Sequence, residues 1–107
     1  MSQDSNPNKI KSWSEEDRPR EKMLVKGIAS LSDSELLAIL IRTGTKQKTA
    51  IDLAKEILQS VNYNLDDLGR KSVNDLKKTK GIADVKAVTI AAALELGRRR
   101  QSSPQMG

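Results

Sequence analysis

The chain is 107 residues long, 36% hydrophobic and 31% charged, and it contains neither His nor Cys. Without thiol or imidazole there is no disulfide, no Cys nucleophile, no Ser-His-Asp triad and no zinc site of nitrogen or sulfur ligands; a metal would need oxygen ligands alone. The net charge of +5 and a pI near 9.6 are compatible with a polyanionic partner.

Residues 1–12 are polar apart from Ile10 and read as a disordered arm, because they cannot bury enough surface to offset their ordering entropy. One domain is expected over 13–100. Phe is absent, and Trp13 and Tyr63 are the only aromatics, so its core has to be aliphatic. Pro19 suits the first turn of a helix running to Lys26, with Gly27 as its stop. Ser32 and Glu35 form a capping box for Asp33 to Arg42, a helix ended by Gly44. The next helix, Lys48 to Ser60, sets Ala50, Ala54, Ile57, Leu58 and Val61 on one stripe, with Asp52, Lys55, Glu56 and Gln59 opposite. Asn64 caps a turn through Leu68 that stops at Gly69, Ser72 with Asp75 caps Val73 to Lys78, and Asp84 caps a long helix from Val85 to Arg99. Residues 101–107 have the composition of a linker or tail. No stretch alternates apolar and polar residues, so the expected class is all-α with five to six short helices. No apolar run is long enough to span a bilayer, and polar residues follow Met1 where a signal peptide would be apolar. With the missing Cys, this predicts a cytoplasmic protein without a membrane partner.

The chain also resembles itself. A shift of 37 residues places Gly44 on Gly81, Ala50 on Ala87, Ile51 on Val88, Leu53 on Ile90, Ala54 on Ala91 and Ile57 on Leu94. Upstream, Leu36 falls on Val73 and Ile39 on Leu76. Each copy reads as helix, tight turn, helix, with a small Ala where two backbones approach. The second copy, Leu76 to Ala87, resembles the helix-hairpin-helix motif, with Ala83 in place of the second glycine of its signature. The expected architecture is therefore a tandem helix-hairpin-helix, SAM-like bundle.

In such a turn Gly81 takes a left-handed backbone and brings N–H groups to the surface at the start of the Val85 helix, where the helix dipole favours an anion. A phosphate suits that position, and its contact carries no base information. Ile82 is expected to point inward and pin the turn to the core. The predicted DNA-contacting residues are Lys80, Gly81, Ile82, Ala83 and Lys86, with Lys77 and Lys78 nearby. By the repeat, Gly44, Thr45, Lys46 and Lys48, together with Gln47, form the equivalent set in the first copy. Two such turns could straddle one duplex; about four neutralised phosphates would give a log K against log salt slope of roughly −3.6.

Simpler roles exist for several of these residues. Gly44 and Gly81 also suit plain helix stops, and the Cβ of Ala83 crowds a phosphate. The charge of Asp84 opposes a nearby phosphate. Arg98 to Arg100 complement a helix C-terminus as well as they suit nucleic acid. Glu15, Glu16 and Asp17, like Asp66 and Asp67, read as surface charge and capping. Trp13 suits either a base stack or the edge of the core. No catalytic constellation, metal set or cofactor motif is present, so no cofactor is expected.

The segments Arg18 to Leu24, Leu31 to Thr45, Lys80 to Ala87 and Ala92 to Arg98 resemble the N-terminal domain of the RadC family, bacterial proteins carrying the DNA-repair label. The resemblance spans Asp17 to Arg99. It implies a following JAB-type domain in the full-length protein, whose His pair and Asp have no counterpart here. It therefore supplies no catalytic or metal residue, and the family usually has Gly where Ala83 stands. The expectation is a non-catalytic accessory module that binds duplex or branched DNA non-specifically. The alternative is a protein-interaction module that positions a JAB-type metallohydrolase domain without touching DNA; it predicts an exposed apolar patch rather than a basic face.

Overall fold

The computed structural model describes residues 15–103; the arm 1–12, Trp13 and residues 104–107 lie outside them. Six α-helices stand in chain order, with no strand among the described residues: α1 (Arg18–Lys26), α2 (Asp33–Ile41), α3 (Ala50–Ser60), α4 (Leu65–Gly69), α5 (Val73–Leu76) and α6 (Asp84–Ser102), plus a 3-10 turn at Ile28–Ser30. The all-α class and the number of helices are as expected.

Most starts follow the local signals. Pro19 sits in the first turn of α1, and Gly27 ends it with φ of 92°. Ser32 and Glu35 form a complete capping box on α2, Ser72 and Asp75 do so on α5, and Asn64 accepts from the Asp67 amide on α4. The ends differ more. The stop of α2 is Arg42 itself, which takes φ of 73°, and not Gly44. α3 begins at Ala50 rather than Lys48, because Thr49 and Asp52 make a capping box that holds the start there. α5 stops at Leu76 instead of Lys78. Asp84 is the first residue of α6 and not its cap; Ala83 holds that position and supplies no side-chain bond. α6 also runs past Arg99 to Ser102, into the stretch read as linker.

α2 packs most extensively on α3 and also against α6, α1 packs on α2, and α4 and α5 close against α6. The core is aliphatic throughout: Leu37, Ala38 and Ile41 from α2, Leu53, Ile57 and Leu58 from α3, then Leu68, Leu76, Ile82, Ala87 and Ile90. The repeat pairs Ala50 with Ala87 and Leu53 with Ile90 are all buried, and the stripe on α3 faces inward as expected. No buried side-chain nitrogen or oxygen lacks a partner among the described residues.

The turn between α2 and α3 meets the turn between α5 and α6 directly. Gly81 has φ of 100°, and a Cβ there would lie 2.8 Å from Thr45 Cγ2 and 3.2 Å from Leu53 Cδ2. Backbone geometry and close approach therefore both require glycine at this position. Gly44 is needed for a different reason. Its backbone is not left-handed, but a Cβ would overlap the Lys48 carbonyl oxygen. Gly81→Ala is expected to cost about 1–3 kcal/mol of stability, since strain adds to the crowding of Thr45; urea denaturation with an unchanged m-value checks it.

Candidate functional site

The two turns line one groove of about 350 Å³, formed by Thr45, Gln47 and Lys48 of the first and Lys80 of the second. Residues 35 positions apart in sequence thus share a surface. Lys46 and Lys80 are exposed and have no ion pair among the described residues. Lys48 instead pairs with Glu56, Lys77 with Asp84 and Lys78 with Asp75. The Lys77 pair offsets the carboxylate of Asp84 at the start of α6, at the cost of one cation that sequence alone would count as available.

Ile82 is buried at 3% exposure and anchors the second turn, as expected. Its counterpart by the repeat is Thr45, which stays on the surface. The Thr45 hydroxyl accepts from the amides of Gln47 and Lys48 at 3.2 and 3.1 Å, folding the first turn on itself. The Thr45 amide donates to the Lys48 carbonyl at 2.7 Å, and the Thr49 amide to Asp52 at 2.9 Å. The remaining two groups go to a distant residue: Gly44 and Ala50 both donate to the carboxylate of Glu16, the latter at 2.8 Å. Every amide from Gly44 to Ala50 except that of Lys46 therefore has an acceptor within the chain. Glu16 does cap a helix, but one whose start lies 34 residues away. No spacing in the sequence signals that contact.

The second turn is open. The Ile82 amide donates to Thr79, whereas the amides of Ala83, Asp84 and Val85 meet no protein acceptor among the described residues. α2, α3, α4 and α5 each have a side-chain cap; α6 has none. Its first turn therefore presents unpaired donors at the positive end of a 19-residue helix. Gly81 and Ala83 shape this opening, and Ala83 leaves its own amide exposed.

Lys86, grouped with the phosphate-contacting residues above, reaches back across the fold. Its Nζ donates to the Ile41 carbonyl at 2.7 Å and to Thr43 Oγ1 at 3.1 Å. It thus caps the C-terminus of α2 and ties the two helix–turn–helix units together. Lys86→Met keeps the stem and removes the charged donor. It is expected to destabilise the fold by about 1–2 kcal/mol, a shift visible in thermal or urea unfolding without any ligand.

The arginine run on α6 is largely committed as well. Glu95 accepts from Arg98 at 3.0 and 2.8 Å and from Arg99 at 2.8 Å. The Arg98 hydrogen bond, followed by that of Arg99, lowers the Glu95 carboxyl from 4.5 to about 2. A depressed carboxyl favours the fold above its unfolded value and loses that contribution as it protonates. The last turns of α6 are therefore expected to fray as pH falls from 4.5 towards about 2, followed by the side-chain resonance of Glu95 and the amides of Arg98 to Ser102.

Among the described residues there is no group of three or more acidic side chains that could hold a metal ion, and no helix is long and apolar enough to cross a membrane.

Known proteins place the chain in a family. Residues 10–88 match the family model described as UPF0758 N-terminal. A UPF0758 protein of Flavobacterium johnsoniae is 53% identical over 93 residues, covering 87% of this chain and 40% of the relative. One from Trichlorobacter lovleyi is 47% identical over 97 residues, covering 89% of this chain and 42% of the relative. One from Staphylococcus aureus strain Newman is 50% identical over 91 residues, covering 85% and 40%. No solved structure matches. The chain spans about two fifths of the length of these curated relatives. These matches bear out the resemblance to the RadC family, and the chain belongs to the UPF0758 family through the N-terminal domain of that family.

Proposed function

We propose that this domain is a non-catalytic accessory module of a RadC-like protein and binds DNA non-specifically, through phosphate contacts at the second turn. The observation that carries this reading is the uncapped start of α6, where the amides of Ala83, Asp84 and Val85 stand without an acceptor beside the unpaired Lys80. A phosphate oxygen accepts from such donors, and the contact is blind to sequence. Lys46, exposed on the first turn, supplies a second attraction. The helix-hairpin-helix reading of α5, the Gly81 turn and α6 enters as part of this proposal.

Relative to two straddling turns, the footprint is smaller. The first turn has spent all its amides but that of Lys46 internally, and Lys86 and Lys48 are engaged elsewhere. About two phosphates are then neutralised, for a slope near −1.8 in place of −3.6.

One observation favours the interaction-module alternative: Leu24, Val25 and Ile28 stand 79%, 60% and 65% exposed at the end of α1. On that reading the apolar group, and not the turns, meets a protein partner, on which the module positions the JAB-type domain of the full-length protein.

The measurement is a salt titration of binding to mixed-sequence duplex. Lys80→Glu is expected to weaken binding uniformly across sequences and to reduce the slope by about 1. The Gly81, Ala83 and Asp84 amides are expected to shift on titration. Wild-type binding that Lys80→Glu leaves unchanged, or no binding at low salt, overturns the proposal; loss of partner binding in Leu24→Ser with Ile28→Ser favours the alternative.

A further inference from the structure

α6 is apolar on two opposite sides. Ala87 and Ile90 are fully buried, and Ala91 and Leu94 pack partly on the core. On the other side Val85, Val88, Ala92 and Leu96 fall within an arc of about 80° at 3.6 residues per turn. All four meet water: Val85 is 80%, Val88 53% and Leu96 68% exposed, and Ala92 is exposed between them. A surface helix ordinarily turns a polar side outward, whereas a helix apolar on both sides is one that is covered on both. Charge is divided along the same helix. Its start carries Asp84 and its end Arg98, Arg99 and Arg100, the last without an ion pair among the described residues.

We propose that this outer side of α6 docks a second copy of the chain, the two α6 helices running antiparallel about a two-fold axis at Ala92. The pattern is self-complementary about that residue, as a two-fold interface requires. Ala92 meets its own counterpart at the axis, where small side chains let the two backbones approach. Along one edge Leu96 inserts between the partner's Val85 and the partner's Thr89. Along the other, Val88 lies on the stems of the partner's Glu95 and the partner's Arg99. The same register sets Asp84 beside the partner's Arg99 at both ends, joining the Lys77–Asp84 and Glu95–Arg99 pairs into one network. It also opposes the two helix dipoles. A parallel pair would crowd Arg98 to Arg100 of both copies at one end, so charge selects the antiparallel one. A single helix pair lies at the low end of specific interfaces, below roughly 1,200 Å² in total, so a micromolar dissociation constant is expected. The dimer stands independently of the DNA-binding reading; where that reading holds, the partner's Arg99 and the partner's Arg100 add positive charge beside the open start of α6.

The test uses the full chain in the absence of DNA. Sedimentation equilibrium is expected to show a monomer–dimer equilibrium in wild type. Ala92→Glu sets two carboxylates at the axis and is expected to raise the dissociation constant about tenfold or more. Leu96→Gln is expected to weaken the dimer without adding charge. Both positions are exposed, so unchanged helicity by circular dichroism confirms that each variant keeps the fold. Arg99→Glu reads the orientation: it places like charges beside Asp84 in the antiparallel dimer and is expected to weaken it, whereas a parallel pair would tighten. Because the chain has no Cys, Ala92→Cys supplies a single thiol. Air oxidation is expected to link two copies there, while Leu24→Cys, in the exposed apolar group at the end of α1, stays largely unlinked. A wild type that is monomeric up to millimolar concentration, a dimer that neither Ala92→Glu nor Leu96→Gln weakens, or tighter association of Arg99→Glu overturns the proposal. So does a monomeric full-length protein in which the Ala92 and Leu96 amides are shifted from their positions in this chain, which assigns the face to the domain that follows.

Discussion

The contact on which the arrangement depends is the approach of Gly81 to Thr45 and Leu53. Leu53 is fully buried in the first turn of α3, and Thr45 organises the turn that precedes α3. Seating Gly81 between them carries the second turn onto the first and brings Lys80 into a groove with Gln47 and Lys48. A side chain at Gly81 would hold the turns apart and disturb the packing of α6 through Ile82, which enters the core one residue later. Lys86 reinforces the same contact from the other side by binding the last carbonyl of α2. Two helix–turn–helix units are thus fastened at their turns, where backbone polar groups are hardest to satisfy.

Satisfaction of those groups divides the two units. The first turn draws acceptors from Thr45, Lys48, Asp52 and Glu16, so its amides, that of Lys46 excepted, are paired within the chain. The second turn is anchored by an apolar residue, Ile82, and has no hydroxyl or carboxylate positioned to accept from the start of α6. The difference traces to single residues: Thr45 in one copy stands where Ile82 stands in the other. A hydroxyl builds a self-contained turn, whereas an isoleucine pins the turn down and leaves the donors outward. Charge follows the same division, with Lys48, Lys77, Lys78 and Lys86 each committed to an oxygen of the chain and Lys46 and Lys80 facing outward.

The 37-residue self-similarity located the buried residues well and the helix boundaries less well. Ala50 and Ala87, or Leu53 and Ile90, are equivalent in burial, because a small or branched residue at a helix crossing is dictated by packing distance. The starts of α3 and α6 are not equivalent in the same register. α3 begins at Ala50, whereas α6 begins at Asp84, three residues ahead of the counterpart Ala87, because Thr49 and Asp52 cap α3 and nothing comparable precedes Ala87. Arg42 ending α2, and Asn62 and Tyr63 turning the chain after α3 with φ of 53° and 59°, had no sequence signal either. Non-glycine residues take left-handed backbone there because the surrounding packing compensates a local cost of about 1–2 kcal/mol each.

Capping residues, the apolar stripe of α3 and the lack of His and Cys are local or compositional properties. They set the all-α class, most helix starts, the aliphatic core and the exclusion of thiol and imidazole chemistry from the chain alone. Which amides and cations remain available for a ligand is a property of distant pairs: Glu16 with Gly44 and Ala50, Lys86 with Ile41, Lys77 with Asp84, Gly81 with Thr45. Such pairs form only once the helices have packed, because the energy of a hydrogen bond or ion pair depends on distance in space and not on separation along the chain.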